Sequence, residues 1–188
     1  MIPLHEAQEV VLAGCKPLTP VQVAYSDMTG RVLAQDVVAT EDVPPFSNTA
    51  VDGYAVRAAD SEQSPVELQV VDTLAAGAEP KIAVNAGEAI RIMTGAPMPS
   101  GADAVVMVED TQRVGETHVL ISRSAKVHDG VRDAGSDVRA GETVFVPGTV
   151  LNAAGVGVLA SVNARTVRAF PRARVALLST GDELVVDG

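Results

Sequence analysis

The sequence predicts an α+β, β-rich chain, and three observations carry that prediction. Of 188 residues, 47% are hydrophobic, yet there is no Trp and only three Phe and two Tyr. The interior must therefore be built from Val, Ala, Leu and Ile, which suit strands and thin sheets better than one thick aromatic core. From Val66 to Glu109 the chain is a series of short apolar runs punctuated by glycine, the pattern of strands bounded by turns. Residues 42–48, DVPPFSN, gather two prolines, a Ser and an Asn, a breaker cluster that ends any regular element and marks a domain boundary. A chain of this length holds one or two small domains.

Taken in order, residues 3–13, PLHEAQEVVLA, place Leu4, Ala7, Val10 and Val11 at helical spacing with acids near the start. That spacing predicts a short amphipathic helix, closed by Gly14 and Pro17. Ser26 to Gly30 reads as a single helical turn with an exit glycine, and Arg31 to Thr40, RVLAQDVVAT, has the β-branched character of a strand. Past the breaker, VELQVV, AIRIM and AVVMVE carry the strand pattern, and TQRVG-ETHVLISRS reads as a hairpin. Residues 128–141, HDGVRDAGSDVRAG, read as a loop. ETVFVPGTVL resumes strand character, Asn152 is placed to cap a small-residue helix AAGVGVLASV, and TVRAF leads through PRAR into RVALLSTGDEL. The last piece reads as a buried strand running into a Thr-Gly-Asp-Glu loop. A buried parallel strand needs neighbours and a crossover helix to cover it, so these residues are expected to be a truncated piece of a larger protein.

Composition excludes several function classes. The formal net charge is −10 and the fourteen Lys and Arg residues are scattered, whereas phosphate-backbone binding needs clustered cations; a nucleic-acid partner is not expected. Cys15 is alone, which rules out an intrachain disulfide or a CxxC zinc site and fits a reducing compartment. No stretch approaches the roughly 18 to 20 uncharged apolar residues of a membrane span, and MIPLHEAQEVV lacks the basic and apolar regions of a signal peptide. The expectation is a soluble, cytoplasmic protein. Gly155 to Ala160 matches G-x-G-x-x-A, but Pro147-Gly148 splits the strand before it and no acid follows at about 20 residues. His5, His118 and His128 form no metal-ligand spacing.

Four segments combine glycine with an acid or hydroxyl. In PPFSNTAVDGYA, glycine after Asp52 would permit a tight turn presenting the carboxylate. In IMTGAPMP, a strand running into Thr94-Gly95 would leave unpaired N–H groups and a hydroxyl at one point, a place for an oxyanion such as molybdate or phosphate. Asp137 lies on a loop flanked by Gly135 and Gly141. Thr180, Gly181, Asp182 and Glu183 follow a strand, where the ligands of open α/β sheets collect and where carboxylates can hold Mg²⁺.

In this order PPFSNTAVDGYAVR, GEAIRIMTGAPMPSGADAVVMVE, GSDVRAGE and VALLSTGDELV resemble the molybdopterin molybdenumtransferase (MoeA) family, whose eukaryotic relatives include the E domain of gephyrin. The resemblance runs from residue 1 to 188 but covers less than half of a usual family member. It implies an elongated homodimer in which a β-rich domain, about 46–140, is inserted into a discontinuous α+β domain formed by about 1–45 and 141–172. Residues 173–188 would be the truncated start of a Rossmann-like α/β molybdopterin-binding domain, and the active site would lie in a cleft between that domain and the partner subunit's N-terminal domains.

The implied reaction is Mg²⁺-dependent: molybdate is inserted into adenylylated molybdopterin and AMP leaves. The resemblance assigns Asp52, Asp137 and Glu183 as the acids of the site, with Asp52 and Glu183 on the metal. It places Thr94, Gly95, Thr180, Gly181 and Asp182 at the substrate, and it makes the molybdopterin adenylyltransferase a further expected partner. Thr49 and Val51 stand where Ser and Met are common, a change of packing more than of chemistry. The family's cleft lysines, arginines and further acids lie beyond residue 188, so this part alone is expected to dimerise or bind but not to turn over. Two other readings are a gephyrin-type scaffold, which has no need of the acidic loops, and a stand-alone pterin or oxyanion module, which would bind its ligand through these residues alone.

Overall fold

The apolar spacing near the N-terminus does produce a helix, α1 (Leu4–Ala13), ended by Gly14, whose N–H donates to the Val11 carbonyl while the Cys15 N–H donates to Leu12. None of its residues is buried. Strand β1 (Val21–Ala24) follows, then a 3₁₀ turn over Tyr25–Asp27 that begins one residue earlier than expected, then β2 (Val32–Leu33) and β3 (Val37–Val38). Next come β4 (Asn48–Thr49), β5 (Gly53–Val56), α2 (Ala58–Ser61), β6 (Val66–Leu74), β7 (Glu88–Ile92), β8 (Ala104–Met107), β9 (Thr111–Val114), β10 (His118–Ile121) and β11 (Val131–Arg132). The chain continues through β12 (Thr143–Phe145), α3 (Ala153–Ser161) and β13 (Thr166–Phe170). This computed structural model describes residues 2–179, 181 and 183. They form two compact units, one from residues up to Val38 and from Thr143 on, the other from Ala39–Glu142.

In the first unit β1, β13 and β2 form an antiparallel sheet in the order β1-β13-β2, and β3 pairs with β12. The expected single strand 31–40 is thus two. Leu33 is paired to β13 and Ala34 still donates to Arg168, but Val37 and Val38 pair with β12. One straight strand cannot serve two partners lying in different sheets, so the chain breaks between them. Asn152 caps α3, its Oδ1 accepting the Gly155 N–H at 2.8 Å. Leu33, Leu151, Leu159, Val167 and Ala169 are buried.

The second unit is built on a six-stranded sheet in the order β8-β5-β7-β6-β10-β9, antiparallel except for the β6–β7 pair. Its two faces carry separate cores. Tyr54, Val56, Ala104 and Val106 pack on one side with Leu68, Val119 and Ile121; Ala55 and Val105 pack on the other with Leu74, Ile90 and Ile92. Because alternate residues of β5 and β8 go to opposite faces and both faces are covered, these strands are apolar throughout.

Three expectations are corrected here. Gly53 opens a strand rather than a turn. A Cβ at Gly53 would lie 2.1 Å from the Val106 carbonyl oxygen, so glycine is required by the closeness of β8 and not by a turn conformation. Residues 128–141 are not loop throughout, since Val131 and Arg132 pair with Thr49 and Asn48. The run VALLS is not a buried strand: it has no regular structure, and Val175, Leu177 and Leu178 are 79%, 95% and 87% exposed. An apolar run states a need for burial, but a strand also needs a neighbour to pair with, and none of the described strands supplies one. Among the described residues no helix is long and apolar enough to cross a membrane.

Candidate functional site

Three of the four glycine-bearing segments are tied together around the short strand β4, the Thr94 segment on the strand itself and the Asp137 segment on the residues before it. The Thr49 N–H donates to Ala96 and its carbonyl accepts from Gly95, while the Ala50 N–H donates to Gly130. Thr49, which is buried, donates its hydroxyl to the Val51 carbonyl and accepts the Val51 N–H at 3.2 Å. Further out, Met98 donates to Ser47, Gly135 to Pro44, and Asp137 and Val138 to Val43. Main-chain bonds of this kind fix loops more tightly than exposed side-chain pairs do, since both partners are already held by the backbone.

At the head of this arrangement lies Asp52, on the residue before β5. Its Oδ1 accepts both the Thr94 N–H and the Thr94 hydroxyl, each at 2.7 Å. The Thr94 hydroxyl first and its N–H second hold the carboxyl below its ordinary 3.8 against the opposing effect of desolvation, with the charge of Arg91 the smallest contributor. Asp52 is exposed and ionised, and its Oδ2 accepts no hydrogen bond from the described residues.

The expected free N–H groups at Thr94-Gly95 are absent. Thr94 donates to Asp52, Gly95 to Thr49 and Ala96 to Met93. Gly95 has φ +83, a left-handed corner that glycine adopts without strain. It turns the chain so that Thr94 faces the aspartate.

Asp137 belongs to the same unit. Its carboxylate is paired with Arg132, both side chains being partly exposed. Gly135, at φ +69, lets the chain pass close to Asp42, whose Oδ1 caps the Ala140 N–H at 2.8 Å.

The fourth segment lies elsewhere. Gly181 and Glu183 are exposed and belong to the first unit, while Thr180 and Asp182 lie outside the described residues. Among the described residues no three His, Cys, Asp or Glu side chains are grouped as metal ligands. Mg²⁺ keeps much of its shell for water and substrate phosphates and takes only one or two protein carboxylates. A single ionised carboxylate with one oxygen unengaged, as at Asp52, fits that mode of binding and does not fit a preformed all-protein cage.

Sequence reasoning passed over Thr49, Arg91 and Arg132. For Arg91 a signal existed: a cation in the middle of the apolar run AIRIM must find partners or break the strand. It finds the carbonyls of Gly53 and Ile92, at 2.7 and 3.0 Å, and the face of Tyr54.

The sequence matches the family model described as the MoeA N-terminal region (domain I and II) over residues 2–163. A molybdopterin molybdenumtransferase 2 of Mycobacterium tuberculosis is 39% identical over 189 aligned residues, which span 98% of this chain and 46% of the relative. A molybdopterin molybdenumtransferase of Staphylococcus aureus is 34% identical over 188 residues, spanning 98% and 45%. Among solved structures, a molybdopterin biosynthesis moeA protein from Pyrococcus horikoshii superposes with a TM-score of 0.82 at 35% identity, covering 90% of this chain and 46% of that one. The chain thus spans less than half the length of these relatives.

Proposed function

This chain belongs to the MoeA family, as its N-terminal region, and from that premise we propose that it forms part of a molybdopterin molybdenumtransferase. The reaction is the insertion of molybdate into adenylylated molybdopterin with release of AMP, a late step of molybdenum cofactor biosynthesis. In this reading the whole protein works in the cytoplasm as a homodimer with Mg²⁺, receives its substrate from the molybdopterin adenylyltransferase, and completes its cleft with residues that this chain lacks.

The observation that carries the reading is the Asp52–Thr94 corner. A scaffold has no need of an exposed carboxylate held at one oxygen by two bonds from one threonine while its other oxygen stays open among the described residues. Asp52 would hold Mg²⁺, which when bound supplies charge neutralisation at the phosphate linkage. Thr94 orients the carboxylate by engaging Oδ1 and leaving Oδ2 for the metal or its water. Asp137, oriented by Arg132, adds a second anchored acid on the loop joined to the same strand β4.

The test is AMP release from adenylylated molybdopterin, dependent on Mg²⁺ and molybdate, by the protein of the full reading frame and by its Asp52→Ala variant. Release that drops about a hundredfold in the variant is expected, the scale of removing one electrostatic group from a preorganised site. No release by a folded, dimeric wild-type protein would sink the reading and bring a gephyrin-type scaffold forward.

A further inference from the structure

The Asp52–Thr94 corner is made where two strands stop. Gly53 and Ile92 form the terminal registered pair of the β5–β7 ladder. Beyond them the chains part, one immediately to Asp52 and the other through Met93 to Thr94. Main-chain bonds hold each departing chain to a different neighbour, the Asp52 carbonyl to the Val108 N–H and the Met93 N–H to the Leu74 carbonyl; neither joins one chain to the other, yet both bonds from Thr94 reach Asp52 at 2.7 Å.

One side chain spans this end. Arg91 Nη1 donates to the Gly53 carbonyl at 2.7 Å and to the Ile92 carbonyl at 3.0 Å, so a single nitrogen ties both members of the terminal pair. The guanidinium is itself held, its carbon lying 5.3 Å from the ring centre of Tyr54, which is the cross-strand partner of Arg91. Stacking over an aromatic face suits a planar guanidinium and is worth more than the same contact from an ammonium.

We propose that Arg91 is the positioning residue of the corner: by clamping the Gly53 and Ile92 carbonyls it sets the separation at which Thr94 meets the Asp52 carboxylate. Arg91 touches no reacting atom in this scheme; it acts through Asp52. The importance of that for turnover rests on the transferase reading above, but the clamp itself does not.

The test compares wild type, Arg91→Met and Arg91→Lys in the protein of the full reading frame. Two readouts are taken: hydrogen exchange of the Thr94 amide by NMR, and the kcat and KM of AMP release. In Arg91→Met the Thr94 amide should exchange faster and kcat should fall tenfold or more with KM nearly unchanged, the pattern of a misplaced group and not of lost binding. Arg91→Lys keeps the charge and the stem but cannot clamp both carbonyls and stack at once, so it should leave the Thr94 exchange fast and kcat low.

Thr94 amide exchange in folded Arg91→Met that matches wild type overturns the proposal, as does wild-type kcat in Arg91→Lys. If Arg91→Met does not fold, the Thr94 amide in Arg91→Lys decides: faster hydrogen exchange than wild type supports the clamp, and unchanged exchange overturns it. The NMR readouts need no turnover, so a protein that releases no AMP would defeat the transferase reading while leaving the clamp to be judged on its own.

Discussion

Replacing Gly53 by Ala separates two roles of glycine that sequence alone confuses. The new Cβ would lie 2.1 Å from the Val106 carbonyl oxygen and 2.9 Å from Val105 Cγ1, far inside the roughly 3.5 Å of ordinary van der Waals contact. The obstacle is backbone, so it cannot swing aside; β5 and β8 must part by about 1 Å. Four residue pairs, Gly53 to Val56 against Met107 to Ala104, depend on that approach, and both faces of β5 are packed. Overpacking costs about 1–3 kcal/mol and a lost ladder bond about 1 more. A total near 3 kcal/mol corresponds, for a unit of about 100 residues, to a fall in Tm of about 10–20 °C. The control is Gly77→Ala, where φ is +81 but nothing lies within 4 Å; there only the left-handed backbone resists, at about 1 kcal/mol. Thermal unfolding followed by far-ultraviolet circular dichroism reads both variants. If Gly53→Ala costs no more than Gly77→Ala, Gly53 is a turn residue after all and the close-approach argument is wrong.

The other predictions concern hydrogen bonds. Thr94→Val removes the hydroxyl that contributes most to lowering the Asp52 pKa, so the Asp52 titration should move up toward its ordinary value. Because the folded pKa is the depressed one, the stabilisation is present above the unfolded value and disappears as pH falls through the folded one. Urea midpoints of wild type and Thr94→Val should therefore differ at neutral pH and converge in acid; a gap that is constant with pH would refute the link to Asp52. Ser61→Ala removes a buried hydroxyl that donates to Ala58 at 2.8 Å and accepts the Ala125 N–H at 2.9 Å. Leaving that N–H buried without an acceptor should cost about 1–3 kcal/mol in urea unfolding, and a change within error would show that water replaces the hydroxyl.

Legibility followed the range over which each signal acts. The runs VELQVV, AIRIM and AVVMVE became β6, β7 and β8 because each holds a strand-length apolar pattern within itself. The Asn152 cap was readable for the same reason, its bond to Gly155 being only three residues long. Strand β5 was missed because GYAV opens with glycine and follows prolines, and what makes it a strand is the flanking of β7 and β8 some forty to fifty residues away. VALLS failed in the opposite sense, its burial being readable and its partner not. Of the candidate site, Asp52 and Thr94 were both singled out, but the two bonds between them could not be read, since 42 residues separate the pair.

Those bonds also decide between two chemistries for the corner. A glycine-bearing turn after a strand can be an anion-binding nest when its N–H groups are free. Here the Thr94 N–H is given to Asp52, and the Gly95 and Ala96 N–H groups are spent within the fold. For an oxyanion to bind at the same N–H it would have to displace a carboxylate held by two bonds of 2.7 Å and then tolerate that carboxylate's charge beside it. Repulsion between the two anions opposes that arrangement, whereas a cation is favoured by the same charge. Under the proposed reading an anion would therefore reach this corner only through a cation beside Asp52, so the carboxylate, and not the loop amides, is the group that reading depends on.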